Sequence, residues 1–495
     1  MKKVIIKGVH FQLIIILTAF LYANVFSKTD NCQNIPKDNS LAVSAYLKVL
    51  ESGDRREITE YIKDNYDSSF IKRMPIEYHV NFQMAFYYIS NGLGYDLKKI
   101  LDADKNEIKA LLVNRFTEAW IELRIPLSSD NNRKINNFIQ YNVISAPDSK
   151  RVIKLKDEEI TYRMRRCMQL ILKDDEFSGV IMLAKNGEPL FEEAYGLANK
   201  SDRIPNRPDT KFNIASVGKM FTAVAVAQLA EQGKLSFNDT LSKYISPEWL
   251  KPEISKKIEI RHLLTHTSGL GDYFRQLYDQ CDKYLFGDLD DYKMLTENQS
   301  LGFEPGTKWS YSNTGMLLLG VVIEKVTGMK YFDYLDKYIF KPAGMKNTGD
   351  WAKNSPVPDR ALGYYKEYSK GQSAWKDNSI TRVLKGNPSG GCYSTTRDLL
   401  NFSTALRENK LLSPEYTSLV LSPKPEINSA FYGYGFFINK TDDGLIARHS
   451  GDGTGISCQF SVYLDDGYTV VILSNYNRPA ADIVGSIVEQ LIASR

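Results

Sequence analysis

The chain has 495 residues, enough for two domains, and 43% of them are apolar, enough to build sizeable cores. Lysine and arginine (63) nearly balance aspartate and glutamate (59), leaving a formal charge of +4. The basic residues are scattered, which excludes a clustered nucleic-acid footprint or a charged tail and reads as solvated surface.

The N-terminus carries Lys2, Lys3 and Lys7, then an almost wholly apolar run over residues 11–25, then the small residue Ser27. A basic start, a short apolar stretch and a small residue are the pattern of a secretory signal peptide over residues 1–27. An exported protein, periplasmic or secreted, is therefore predicted. The competing reading is an uncleaved anchor, disfavoured because the run is short for a membrane span. Cys32, Cys167, Cys281, Cys392 and Cys458 are odd in number and dispersed, with no Cys-x-x-Cys pair. They support neither a zinc knuckle nor a redox motif, and their pairing stays open.

Residues 30–150 read as a small α+β module. Residues 42–50 and 56–65 have helical character and are separated by Ser52-Gly53-Asp54. Ile121, Leu123, Ile125 and Leu127 then alternate with polar residues, and residues 138–144 repeat that period of two, as strands do. Helices followed by strands loosely resemble the cone-shaped fold of the nuclear-transport-factor superfamily. The polar stretch at residues 142–156, with its proline, is the predicted linker. The region beyond it is expected to fold alone, leaving the module to serve an unidentified partner, placement in the envelope, or access of large substrates.

The second region, residues 158–495, opens with two apolar segments at 179–184 and 189–195 around Lys185-Asn186-Gly187, a hairpin signal. Strands are predicted again near the end, at 431–438, 445–448, 456–463 and 468–473, before a helix from about Pro479. Between these ends the chain reads as helix and loop. The predicted fold is an antiparallel sheet made from both ends of the region, flanked by helices, with a helical insertion. Such a layout brings the intervening motifs to a junction, where clefts form.

Three motifs carry the chemistry. Ser216-Val-Gly-Lys219 precedes a helix that is apolar nearly all round, closed near Gly233, and therefore buried. Ser216 then belongs to the first turn, where free N–H groups favour negative charge, and Lys219 lies three residues on, on the same face. An ammonium in apolar surroundings has a lowered pKa, so Lys219 can take the proton of Ser216. Tyr311-Ser312-Asn313 follows Pro305-Gly306 and precedes an apolar helix, and His449-Ser450-Gly451 comes later still. A Ser-x-x-Lys tetrad alone says little: Ser69-Phe-Ile-Lys72 and Ser373-Ala-Trp-Lys376 match it without chemical context. The ordered set of three is what points to acyl transfer. His262 and His266 are spaced like zinc ligands, but Leu263 stands where a metalloprotease needs glutamate, and a structural role is expected.

Phe212-Asn-Ile-Ala-Ser216-Val-Gly-Lys219, Arg261-His-Leu-Leu-Thr-His-Thr-Ser-Gly-Leu270, Phe303-Glu-Pro-Gly306 with Tyr311-Ser-Asn313, Gly390-Gly-Cys-Tyr-Ser-Thr-Thr-Arg-Asp398 and His449-Ser-Gly451 together resemble the class C β-lactamase and D-alanyl-D-alanine carboxypeptidase family of serine hydrolases. The resemblance spans residues 158–495. It implies that Ser216 is the nucleophile, Lys219 its activator and Tyr311 the phenol that moves protons. Asn313 would bond Lys219 and the substrate amide, His449, Ser450 and Gly451 would bind substrate, and the N–H groups of Ser216 and Asp452 would form the oxyanion hole. Tyr311, beside two cations, is expected to have a lowered pKa. His449 replaces the lysine typical of β-lactamases; being only partly charged near neutrality, it would hold a carboxylate less firmly. The predicted function is an exported serine hydrolase, without metal or cofactor, that acts through an acyl-enzyme on D-amino-acid-containing peptides or esters. A strict β-lactamase is the alternative within that class, and a non-catalytic penicillin-binding sensor the alternative outside it. Specificity is expected to lie between Asp272 and Gly302.

Overall fold

The computed structural model of the protein describes residues 37–493 except 104–105, 130–132, 148–153, 275–277, 279, 283–284, 351–356, 370–371, 380–384 and 442. The signal-peptide segment and Cys32 lie outside the described residues.

The leading module begins with helices Lys37–Ser52, Arg55–Asn65, Ser68–Lys72 and Ile76–Ile89. Asp54 caps the second by accepting from Arg56 N, at 2.7 Å, and from Glu57 N, as an N-terminal carboxylate should. Strands Tyr95–Ala103, Glu107–Asn114, Trp120–Pro126 and Gln140–Ile144 follow in an antiparallel meander. Bulges between Leu97 and Lys99 and between Ile100 and Asp102 bend the first strand over the helices. The alternation read in the sequence is real: Ile121, Leu123 and Ile125 all face the core. Helix Ile76–Ile89 gave no such signal because it is buried on several sides, so its apolar residues mark no single face.

The second region is built on a six-stranded antiparallel sheet. Its order is Phe437–Thr441, Gly444–Gly453, Ile456–Tyr463, Tyr468–Ser474, Gly179–Lys185, Glu188–Tyr195. The two ends of the region meet where Val470 pairs with Leu183. The first hairpin turns at Asn186 and Gly187, both with positive φ (51° and 86°), the turn that Asn-Gly favours. One expectation fails: the strand predicted from residue 431 begins only at Phe437. Before it the chain doubles back, with Gly433 N donating to Phe436 O at 2.8 Å and Tyr432 bridging to Phe437. Tyr432 is thereby turned into the interior.

Each face of the sheet supports a separate apolar cluster. Val180, Met182 and Ala184 face the buried helix Lys219–Glu231 and its neighbours. Ile181 and Leu183, one residue out of phase, face helices Asp157–Lys173 and Ala480–Ile492, the alternation a strand imposes. The second cluster continues without a break into the module through Val80, Met84 and Phe86. Polar contacts reinforce the seam: Asn114 Nδ2 and Thr117 Oγ1 both donate to Gln490 Oε1 at 2.8 Å, and Arg163 donates to the Phe116 carbonyl at 2.9 Å. The module thus shares a core with the sheet.

Candidate active site

The approach to Ser216 is held from three sides. Strand Phe212–Asn213 pairs with Tyr393–Ser394, and Asn213 Oδ1 accepts from Ala215 N at 2.9 Å. Ala215 is left-handed (φ 44°), an unusual state for alanine that turns the chain sharply. Gly391 N fixes its carbonyl at 3.1 Å, and a Cβ on Gly390 would overlap that same oxygen. Ser216 then lies on the 3₁₀ turn Ala215–Gly218, which leads into helix Lys219–Glu231. The helix is buried along almost its whole length, as its apolar sequence required.

Lys219, fully buried, opens that helix. Its Nζ donates to Ser216 Oγ at 3.0 Å, to Asn313 Oδ1 at 2.7 Å, and to the Ser389 carbonyl. Three acceptors match the three donors of an ammonium. Asn313 begins helix Asn313–Thr327, whose cap is Ser312, accepting from Gly315 N at 3.0 Å. Behind Asn313 lies Asp272, accepting from Asn313 Nδ2 at 2.6 Å and from Phe274 N at 3.0 Å. Burial pulls Lys219 below the ordinary lysine value, with the Asp272 charge opposing, and burial pushes Asp272 up.

Tyr311 hydrogen-bonds the Ser216 side chain, and its ring lies 4.8 Å from Lys219 Nζ. The lowered pKa expected for it is not found. Burial raises the phenol, the Asp272 charge adds to that, and only the bond from Ser216 opposes. The second cation is missing because His449 is neutral: burial and then the Lys219 charge depress it to about 3.

His449 is also committed elsewhere. Its Nδ1 donates to the Ser450 carbonyl at 2.7 Å, and its Nε2 accepts from the Tyr432 hydroxyl at 3.1 Å. The Tyr432 oxygen accepts from His266 Nε2 at 3.2 Å, and His266 Nδ1 accepts from Ser312 N at 3.2 Å. Donors and acceptors fit throughout if both rings are neutral, and burial depresses His266 as well. The His266 ring packs on Tyr311 with centroids 4.4 Å apart. Ser312, His266, Tyr432 and His449 therefore form a directed chain that supports one side of Tyr311. In this arrangement both ring nitrogens of His449 are engaged within the protein.

The strand Gly444–Gly453 explains the rest of the third motif. Alternation buries His449 and Gly451 and exposes Ser450 and Asp452. Residues 449–453 run past the end of the neighbouring strand Phe437–Thr441 and lie against the Ala215–Gly218 turn. Gly451 makes this possible, since a Cβ there would overlap the Ile214 carbonyl oxygen. The zinc-like spacing of His262 and His266 has no such use: His266 has left the helix Ile260–Leu264 with φ 60°, and His262 Nδ1 accepts from Glu259 N at 3.1 Å.

The structure therefore brings Ser216, Lys219, Tyr311 and Asn313 together, with the third motif alongside. Four neighbours were not among the predicted site residues. His266 was read as structural. Asp272 stands two residues beyond the motif ending at Leu270, a position that carried a usable signal. Ser389 acts through its carbonyl, and Tyr432 sat in a misread strand, so neither carried one.

A buried lysine on the hydroxyl of a serine, at the edge of an antiparallel sheet flanked by helices, defines a serine hydrolase. The chain belongs to the beta-lactamase family, whose family model matches residues 164–493. It is 32% identical over 313 residues to penicillin-binding protein 4* of Bacillus subtilis (strain 168), covering 61% of this chain and 68% of that protein. It is 30% identical over 315 residues to the teichoic acid D-alanine hydrolase of Staphylococcus aureus (strain MRSA252), covering 61% and 72%. The crystal structure of a penicillin binding protein from Bacillus halodurans is similar with a TM-score of 0.58 at 32% identity, covering 68% of this chain and 99% of that one.

Proposed function

We propose that the protein is an exported hydrolase that cleaves D-alanyl esters or D-amino-acid-containing peptides through an acyl-enzyme on Ser216. The observation that carries the reading is the placement of Lys219, buried and donating to Ser216 Oγ at 3.0 Å. A lysine whose proton affinity is lowered by burial is partly free base near neutrality. It takes the Ser216 proton as Oγ attacks the substrate carbonyl. Tyr311, a protonated phenol at rest and bonded to Ser216, passes a proton to the leaving group and later receives one from the attacking water. The N–H groups of Ser216 and Asp452 stabilise the oxyanion, each worth about 3 kcal/mol. Asn313 orients Lys219, exposed Ser450 meets the substrate backbone, and buried His449 supports Tyr311 through Tyr432. The D-alanyl substrate class is supported by the likeness to the teichoic acid D-alanine hydrolase. Export is supported by Lys2, Lys3, Lys7 and the apolar run at residues 11–25.

The test is labelling of the full chain with a fluorophosphonate or a fluorescent penicillin, peptide mapping, and kcat/KM on a D-alanyl ester, a D-alanyl-D-alanine peptide and a β-lactam. Labelling at Ser216, lost in Ser216→Ala, with preference for the ester or peptide, is expected. A label on another serine overturns the nucleophile, and faster turnover of the β-lactam overturns the substrate class.

A further inference from the structure

Asp272 is a half-buried carboxylate that the acylation scheme leaves unused, yet it lies directly behind Asn313, the side chain that holds Lys219. Asn313 Nδ2 donates to its Oδ2 at 2.6 Å and Phe274 N to its Oδ1 at 3.0 Å, and the backbone of Asn313 reaches it too. On the far side of the same amide, Asn313 Oδ1 accepts from Lys219 at 2.7 Å. An amide has one accepting and one donating end. Reversed, it would turn its NH₂ toward the Lys219 ammonium and its oxygen toward the Asp272 carboxylate, both repulsive. Asp272 therefore leaves Asn313 a single orientation.

The charge matters as well as the hydrogen bond. The titratable groups facing this pair come from several elements: Tyr311 before helix Asn313–Thr327, His266 after helix Ile260–Leu264, His449 on the edge strand, and Tyr273, whose hydroxyl meets Ser389 Oγ at 2.8 Å. The histidines are held neutral and burial raises both phenols. Among these groups, only Asp272 places a negative charge on the Lys219 side of the site. Burial makes Lys219 hold its proton less firmly, and an anion behind Asn313 opposes that. A base is most effective when its pKa lies near the working pH.

We propose that Asp272 is a positioning residue of the acylation step: its carboxylate dictates which end of the Asn313 amide meets Lys219, and its charge sets the pH at which Lys219 becomes a base. The proposal rests on the reading of Ser216 as the acylated residue with Lys219 as its base.

The experiment is the second-order rate of fluorophosphonate labelling of the full chain, followed from about pH 5 to about pH 10, in wild type, Asp272→Asn, Asp272→Glu and Ser216→Ala. Removing the anion destabilises the ammonium, so the acidic limb of the Asp272→Asn profile should move to lower pH by about one unit or more. Asp272→Glu, which keeps the charge, should leave the limb near its wild-type position. A limb that stays in place in folded Asp272→Asn overturns the proposal. Should Asp272→Asn fail to fold, Asp272→Ser removes the same charge and must show the same displacement; failure of every charge-removing variant to fold would make Asp272 structural and overturn it too. Persistent labelling in Ser216→Ala would instead sink the acyl-enzyme reading, a separate outcome.

Discussion

Ser216 sits between two titratable side chains that burial has driven in opposite directions. Lys219 is pulled down and Tyr311 pushed up, so the lysine is ready to accept a proton while the phenol keeps its own at rest. Lys219→Ala and Tyr311→Phe should each lower turnover of a D-alanyl ester at least about a hundredfold; near-normal rates in Tyr311→Phe would show that another group carries the proton. The neutral histidine chain has its own pH consequence. An unfolded histidine takes up a proton near pH 6.5, but folded His449 not until about 3. Between those values the unfolded state binds more protons, so this contribution to stability is present above the ordinary histidine value and lost as the pH falls through the window. His449→Gln keeps an acceptor for Tyr432 without a titrating ring. Urea denaturation at about pH 7 and about pH 5 should show a smaller loss for this variant than for wild type; equal losses would mean His449 is not held neutral.

Among the elements, the edge strand and the turn that carries Ser216 depend on each other's closeness. Gly451 contributes by lacking a side chain, since a Cβ would overlap the Ile214 carbonyl oxygen and lie 3.2 Å from the Ala215 Cβ. Gly451→Ala should therefore push residues 449–453 off the turn, slowing acylation at least tenfold, at a stability cost of about 1–3 kcal/mol. Gly453→Ala is the control: its Cβ would meet only the Ile456 side chain, at 3.4 Å or more. Equal labelling rates in the two variants would show that the spacing between strand and turn is unimportant.

At the scale of the whole molecule, the module and the hydrolase region share one apolar cluster rather than meeting at a polar seam. Helix Ile76–Ile89 packs against helices Ala480–Ile492 and Asp157–Lys173, and buried Gln490 serves Asn114 and Thr117. A protein beginning near Lys156 would expose that surface and leave the Gln490 side chain without these partners. It should be insoluble, or should melt well below the full chain in a thermal scan. A truncated protein that melts like the full chain and turns over a small ester at the same rate would show that the shared cluster contributes nothing to the hydrolase fold.

The amino-acid sequence by itself determined the parts set by local pattern: the buried helix after Ser216, the Asn186-Gly187 turn, the strands with a period of two, and the meeting of both ends of the hydrolase region in one sheet. It also marked Ser216, Lys219, Tyr311 and Asn313, because they stand in motifs of particular residue types in a fixed order. Tertiary structure alone decided what depends on neighbours from distant segments. Helix Ile76–Ile89 was hidden because burial on several sides erases amphipathic period. Tyr432 entered the site because its strand starts six residues later than its apolar run. The Tyr311 pKa moved opposite to expectation and that of His449 fell below the partly charged range, because desolvation acts on a side chain only once other chain segments have closed around it.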